Sequence, residues 1–89
     1  MWFIILAKFR RKPTKQDTEK MSSYYAEAAK WGVKRHSAFW TLGRYDAVFI
    51  IEAPDEKTAM KFVINTPTDL AATETLVAIT REDALKLMQ

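Results

Sequence analysis

The sequence predicts an α+β fold class, in the order strand, helix, strand, strand, helix, strand, with a short closing helix. Four runs of large apolar and β-branched residues have strand length. These runs span residues 2–9, 33–42, 47–53 and 73–80. Segments 14–32 and 54–65 instead repeat apolar residues at the three- and four-residue spacing of a helix. Two split strand-helix-strand units of this kind form a ferredoxin-like βαββαβ sandwich with a four-stranded antiparallel sheet.

The first strand is apolar on both of its faces. Because side chains alternate across a strand, Trp2, Ile4 and Leu6 point one way, and Phe3 and Ile5 point the other. One layer of helices covers only one face of a sheet, so the second face of a monomer would remain bare. An exposed apolar face of this size marks an association site. The sequence therefore predicts a homo-oligomer that is at least a dimer, with sheets packed face to face.

The first helix begins with a capping signal. The hydroxyl of Thr14 can accept from a free backbone N–H, and Asp17 occupies the reciprocal position three residues later. The predicted buried stripe of this helix is Met21, Tyr24, Tyr25, Ala28 and Ala29. Gly32 ends the helix, because glycine most easily adopts the left-handed conformation found there.

The second half repeats this plan. Residues 47–53 form the most continuous apolar run, which predicts a central strand beside the first one. Pro54 and Asp55 open the second helix, whose stripe contains Ala59, Phe62 and Val63. The last strand is expected at residues 73–80, followed by a closing helix over residues 81–88.

Length and composition predict one domain over residues 1–89. The chain has no cysteine, which excludes disulfides and thiolate metal sites and is compatible with the cytoplasmic location that we expect. The apolar start at residues 1–7 stops at Lys8, far short of the ~20 residues of a membrane span. We interpret it as a strand of the mature protein, and we expect no membrane partner.

The net charge of +3 hides an asymmetry between the two halves. Residues 1–44 carry ten Lys and Arg against three Asp and Glu, whereas residues 45–89 carry four against eight. The densest basic cluster is Lys8, Arg10, Arg11, Lys12 and Lys15. It can be a solvated loop or a phosphate contact, but no nucleic-acid motif accompanies it, so we do not expect nucleic acid as a partner. With two glycines and no P-loop or dinucleotide fingerprint, no cofactor is expected.

A Gly-x-Tyr-Asp turn at residues 43–46 separates the second and third strands. Gly43 can take the positive φ of a tight reversal, and Asp46 can accept from backbone N–H groups. The alternative is functional, with Tyr45 and Asp46 at the edge of a pocket and Asp46 as a proton acceptor.

This turn, with Glu52-Ala53-Pro54-Asp55 and the weaker Thr73-Glu74-Thr75-Leu76, resembles the GYD-domain family over most of the chain. The resemblance implies a dimeric α+β barrel with the helices outside, and it implies no particular reaction. The chain departs from the family in the segment at residues 68–71, where a glycine is usual, so the shape of that loop is not implied.

Three residues are candidate catalytic groups: His36, Tyr45 and Asp46. Imidazole is the side-chain group most often used as a general base near neutral pH, so His36 is a candidate for that role. It can equally be a surface or interface residue, and strand alternation places it on the face of Trp40. One histidine does not make the usual multi-histidine metal site, and we expect no metal.

The candidate ligand-binding residues are Trp2, Trp40 and Glu52. Alternation also places Glu52 on the same bare face as Lys8, where the two could pair across the sheet or across the dimer.

These observations predict a non-enzymatic small-molecule-binding or assembly module with a small apolar or aromatic ligand. The alternative is a cofactor-independent monooxygenase- or isomerase-like enzyme, with a small aromatic substrate in a pocket near His36, Tyr45 and Asp46. A third, weaker hypothesis is an anion or nucleic-acid binder that uses the basic cluster.

Overall fold

A computed structural model describes residues 1–88 and has the predicted α+β architecture. The fold consists of three α-helices and one four-stranded antiparallel sheet, and a 3₁₀ turn over Ala29–Trp31 extends the first helix. The strands are β1 (Trp2–Phe9), β2 (Lys34–Trp40), β3 (Ala47–Glu52) and β4 (Ala71–Ala78). The helices are α1 (Lys15–Ala28), α2 (Glu56–Ile64) and α3 (Arg81–Lys86). The predicted order of elements is confirmed.

The strand order β2-β3-β1-β4 places the two most apolar strands at the centre, as predicted. Trp2 lies opposite Glu52 at one end of the β1–β3 ladder, and Ala7 lies opposite Ala47 at the other end. The prediction for β4 was two residues late, because Ala71 and Ala72 pair with the last residues of β1. A partner strand with free hydrogen-bonding groups outweighs the weak strand preference of alanine.

The two faces of the sheet differ in burial. Phe3, Ile5 and Ile51 lie under the helices and are almost completely buried. The opposite face is more exposed, and we call it the open face. Its apolar members are Trp2, Ile4, Leu6, Phe39, Val48, Ile50 and Leu76. The burial pattern of β1 therefore alternates as the sequence predicted.

The capping box of α1 is confirmed. Asp17 N–H donates to the Thr14 hydroxyl at 3.2 Å, and Thr14 N–H donates to the Asp17 carboxylate at 2.8 Å. Asp17 is also buried, with 5% of its surface exposed. The Arg11 guanidinium donates to its two oxygens at 2.7 and 2.9 Å, and the Thr68 hydroxyl donates at 2.9 Å. One short carboxylate thus ties the β1–α1 loop to the loop before β4.

The C-terminal end of α1 corrects one detail. Ala29 is exposed rather than part of the buried stripe, because the chain tightens into the 3₁₀ turn there. Gly32 has a φ of 89°, as its predicted capping role requires. A Cβ at Gly32 would lie 2.8 Å from Cγ of Pro54, so the close approach of the two loops also requires glycine.

We expect the Asp17 network to make the fold sensitive to acid. The two hydrogen bonds from Arg11, followed by the Thr14 backbone N–H, hold the pKa of the Asp17 carboxyl well below its usual value. A depressed pKa contributes stability that is complete above about pH 4 and is lost as the pH falls further. Below pH 4, Asp17→Asn should reduce the proton uptake on unfolding by about one proton.

Thermal melts between pH 2 and pH 7 measure this effect, with Asp83→Asn as an exposed control. Asp17→Asn should melt at lower temperature than the wild type at pH 7, and its melting temperature should fall less steeply with acid. Equal slopes for Asp17→Asn and the wild type would contradict a special role for this carboxylate.

Candidate functional site

The Gly-x-Tyr-Asp turn is held by backbone hydrogen bonds. Gly43 has a φ of 116°, which confirms the predicted need for glycine. Thr41 N–H donates to the Asp46 carbonyl at 2.8 Å, and the Thr41 hydroxyl donates to the Tyr45 carbonyl at 2.8 Å. Asp46 N–H continues the ladder by donating to the Ala7 carbonyl at 2.8 Å. The turn therefore joins β2, β3 and the central strand β1.

The Asp46 carboxylate serves the same junction. Its Oδ2 atom accepts from Phe9 N–H at 2.7 Å and lies 3.5 Å from the Lys8 ammonium. A carboxylate that accepts a backbone N–H and faces an ammonium group is held in one orientation. These contacts support the structural interpretation of Asp46 over the role of proton acceptor.

Tyr45 connects the turn to the edge strand β4. Its hydroxyl donates to the Glu74 carboxylate at 2.8 Å, and this hydrogen bond raises the pKa of the phenol. The guanidinium of Arg44 lies 5.7 Å from the centre of the Tyr45 ring. Tyr45 thus remains a protonated donor that closes one end of the sheet.

His36 and Trp40 lie on opposite faces of the sheet. The β2–β3 register shifts between Arg35 and Ser37, so His36 occupies a bulge. One extra residue reverses the alternation that follows it. His36 consequently points to the open face, whereas Trp40 points to the helix side, and the prediction that they share a face was wrong.

On the open face, three predicted site residues form one cluster, which we call the open-face cluster: Trp2, His36 and Glu52. His36 Nε2 lies 3.0 Å from a Glu52 carboxylate oxygen, and both side chains are about 40% exposed. The rings of Trp2 and His36 lie 4.5 Å apart. The hydrogen bond with His36 is the main cause that lowers the pKa of Glu52. The open-face cluster therefore contains an imidazole that a carboxylate orients, beside the ring of Trp2.

Lys8 does not pair with Glu52 across the sheet. The register places Glu52 opposite Trp2, and Lys8 lies six residues further along β1, where it contacts Asp46 instead. At ~3.3 Å per strand residue, the two side chains are about 20 Å apart along the strand.

A similar distance separates His36 from the other two catalytic candidates. His36 lies at the Trp2 end of the sheet, while Tyr45 and Asp46 lie at the Ala7 end. Within one copy of the chain they do not share a pocket, which corrects the prediction of one site near all three.

Trp40 belongs to a separate cleft between α1 and the sheet. We call it the helix-side cleft; its volume is about 160 Å³. Its principal lining residues are Phe9, Met21, Tyr25, Arg35, Trp40 and Phe49. The rings of Phe9 and Trp40 meet edge to face at 5.5 Å. Sequence reasoning missed this cleft, and the available signal was the pair of tyrosines on the predicted inner stripe of α1.

The basic cluster of the β1–α1 loop is largely occupied by contacts within the chain. Arg11 binds Asp17 and also Asp69, the latter at 3.1 Å, and Arg10 donates to the Asp69 carbonyl at 3.2 Å. Lys8 contacts Asp46. The loop therefore fits the structural interpretation better than phosphate binding.

Metal binding has no evident site in the described part of the chain. No group of three or more His, Asp or Glu side chains converges among residues 1–88. Over the same residues, no helix is both long enough and apolar enough to cross a bilayer.

The sequence profile of the GYD domain matches residues 3–88. The chain belongs to the GYD-domain family. The family turn is the junction described above, in which glycine reverses the chain and aspartate anchors β1. No curated protein sequence matches this GYD-domain chain significantly.

Solved structures with the same fold include two enzymes and a regulator. The chain is similar to 5-chloro-2-hydroxyhydroquinone dehydrochlorinase from Burkholderia phenoliruptrix in complex with 2,5-dihydroxybenzoquinone. Identity is 21%, the TM-score is 0.64, and coverage is 93% of this chain and 98% of that one. SnoaB, a cofactor-independent oxygenase from Streptomyces nogalater, is 14% identical, with a TM-score of 0.64 over 90% of this chain and 91% of that one.

The third structure is a transcriptional regulator from Neisseria meningitidis in complex with L-Met. It is 17% identical, with a TM-score of 0.63 over 90% of this chain and 50% of that chain. At these identities, the three likenesses show the ferredoxin-like fold alone.

Proposed function

We propose that this GYD-domain chain is a homodimer whose copies pack open face to open face, and that the dimer is a non-enzymatic small-molecule-binding and assembly module. The observation that carries the proposal is the apolar open face. Phe39 is 57% exposed and Leu76 is 41% exposed in the single chain. Water contact with this many large apolar groups is unfavourable, and burying about 800 Å² per copy makes an ordinary stable interface.

Charges around the open face suit pairing between two copies. Lys8 and Lys34 lie on this face of β1 and β2, and Glu52 and Glu74 lie on this face of β3 and β4. In a two-fold dimer, a region of one copy contacts a different region of the second copy, and the reverse contact also forms. The lysines of one copy can therefore face the glutamates of the other around an apolar centre.

The likeness to solved structures is compatible with a binding module. The same fold occurs in an enzyme complexed with a quinone and in a regulator complexed with L-Met. Because one fold hosts both kinds of protein, the choice between an enzyme and a binding module depends on the residues of this chain. Here the catalytic candidates are dispersed, and two of them make structural contacts.

Light scattering on the purified chain at micromolar concentration tests the assembly. We expect a particle mass twice the 10.3 kDa of the chain. A mass of one chain under these conditions would contradict the proposal.

The enzymatic alternative rests on the open-face cluster. His36 held at 3.0 Å from Glu52 beside Trp2 resembles a general base with an orienting carboxylate. We expect no oxygen uptake above the buffer rate with hydroquinone as a one-ring probe. A rate that exceeds buffer and falls roughly 100-fold or more in His36→Gln would establish the enzyme instead, with Lys34→Gln as the neighbouring control.

A further inference from the structure

The helix-side cleft has the size of a single ring. Its volume of about 160 Å³ is close to the ~150 Å³ of an apolar cavity that accepts benzene. A second hollow of about 80 Å³ adjoins it under the helices and shares Phe9, Tyr25 and Phe49 as walls. A ligand of one ring with a short substituent therefore fits the cleft.

The walls favour a planar aromatic ligand. Phe9 and Trp40 form one edge-to-face pair, and the rings of Tyr25 and Phe49 also line the cleft. Aromatic rings stack with one another in offset or edge-to-face geometry, which gains energy beyond area burial. Trp40 is 63% exposed, so the ring nearest the mouth of the cleft gains burial from an incoming ligand.

The charge in the cleft is positive. The Arg35 guanidinium lies 4.6 Å from the centre of the Tyr25 ring, and no carboxylate among residues 1–88 forms an ion pair with it. Asp17 also lines the cleft, but Arg11 already neutralises it through two hydrogen bonds. Burial raises the pKa of Tyr25 to about 12, so its phenol stays uncharged at neutral pH. Arg35 is thus the charge available to a ligand.

We propose that the helix-side cleft binds a planar one-ring aromatic carboxylate or phenolate, with Arg35 holding the anionic group. A guanidinium binds a carboxylate through two parallel hydrogen bonds, and stacking on Tyr25 holds it in place for this role. The inference rests on the proposed small-molecule-binding function and names its ligand class and its site. The cleft lies on the side of the sheet opposite the open face, so a dimer leaves it accessible.

Isothermal titration with benzoate tests the site, with benzamide as the uncharged probe of the same shape. We expect benzoate to bind about 10-fold or more tightly than benzamide. Arg35→Gln should weaken benzoate binding about 10- to 100-fold and abolish this preference, while Arg35→Lys should retain part of it. Arg44→Gln is the matched control, because Arg44 also lies over a tyrosine ring but belongs to the Gly-x-Tyr-Asp turn. The Arg44→Gln variant should bind benzoate as the wild type does.

A second variant guards against an indirect effect of removing the arginine. Ala38 lines the cleft on the exposed edge strand, so Ala38→Phe fills the cleft without entering the core. It should abolish benzoate binding while circular dichroism remains unchanged. Equal binding by wild type, Arg35→Gln and Ala38→Phe, or no binding by the wild type at millimolar benzoate, would overturn the inference.

Light scattering on the same samples separates this inference from the assembly proposal. A dimer that does not bind benzoate would contradict the proposed ligand class but not the proposed homodimer. A monomer that binds benzoate through Arg35 would support the proposed site but contradict the proposed homodimer.

Discussion

Ile50→Lys is expected to convert the homodimer into a monomer that remains folded. Ile50 lies in the centre of the open face, paired with Ile4 on β1 and Ser37 on β2. Two-fold symmetry brings the substitution into the interface twice, and a buried ammonium without a partner is costly. We expect the dissociation constant to rise by about 100-fold or more, since each 1.4 kcal/mol is a factor of ten.

Sedimentation velocity across a dilution series measures this change, and circular dichroism checks that the monomer is folded. Met60→Lys is the matched control, because Met60 is 59% exposed on α2, in the helix layer. If Ile50→Lys and Met60→Lys dissociated equally, the open face would not be the interface.

Phe3→Ala is expected to lower the free energy of unfolding by about 3–5 kcal/mol. Phe3 is 2% exposed, lies opposite Ile51 in the ladder, and belongs to the cluster under the helices. Removing the ring loses its transfer free energy and leaves a cavity that the sheet cannot close. Small domains have only about 5–15 kcal/mol of total stability, so this variant should be partly unfolded at moderate temperature.

Urea unfolding at one fixed protein concentration measures the loss, because dissociation would otherwise add a concentration-dependent contribution. Leu42→Ala, at a fully exposed side chain in the β2–β3 turn, should change the stability by less than about 0.5 kcal/mol. Phe3→Leu should lie between the two. A loss for Phe3→Ala no larger than that for Leu42→Ala would contradict the assignment of the core face.

Three features of the fold were predictable from local sequence patterns. Thr14 and Asp17 were recognisable as a capping box because the two residues are three positions apart and act on the same helical turn. Gly43 was recognisable because a tight reversal demands a positive φ. Alternation along β1 correctly separated Phe3 from its neighbours Trp2 and Ile4, since period two is a property of the extended backbone itself.

Other features depended on contacts between distant parts of the chain. Nothing near Asp17 in the sequence shows that Thr68 and Asp69 complete the network around Asp17 and Arg11, because these groups meet only when the β4 loop returns beside α1. The cleft that contains Tyr25 and Arg35 likewise exists only after α1 packs on β2.

The amino-acid sequence by itself determined the order of the elements, the central position of β1 and β3, the apolar open face and the family turn at Gly43 to Asp46. All of these follow from periodicity or from the conformational needs of single residues within a few positions. Only the tertiary structure decided the register of β2. Its one-residue bulge left His36 on the face of Glu52 and turned Trp40 toward the helices, because an extra residue reverses every side chain that follows. The single predicted site therefore became an open-face cluster and a helix-side cleft.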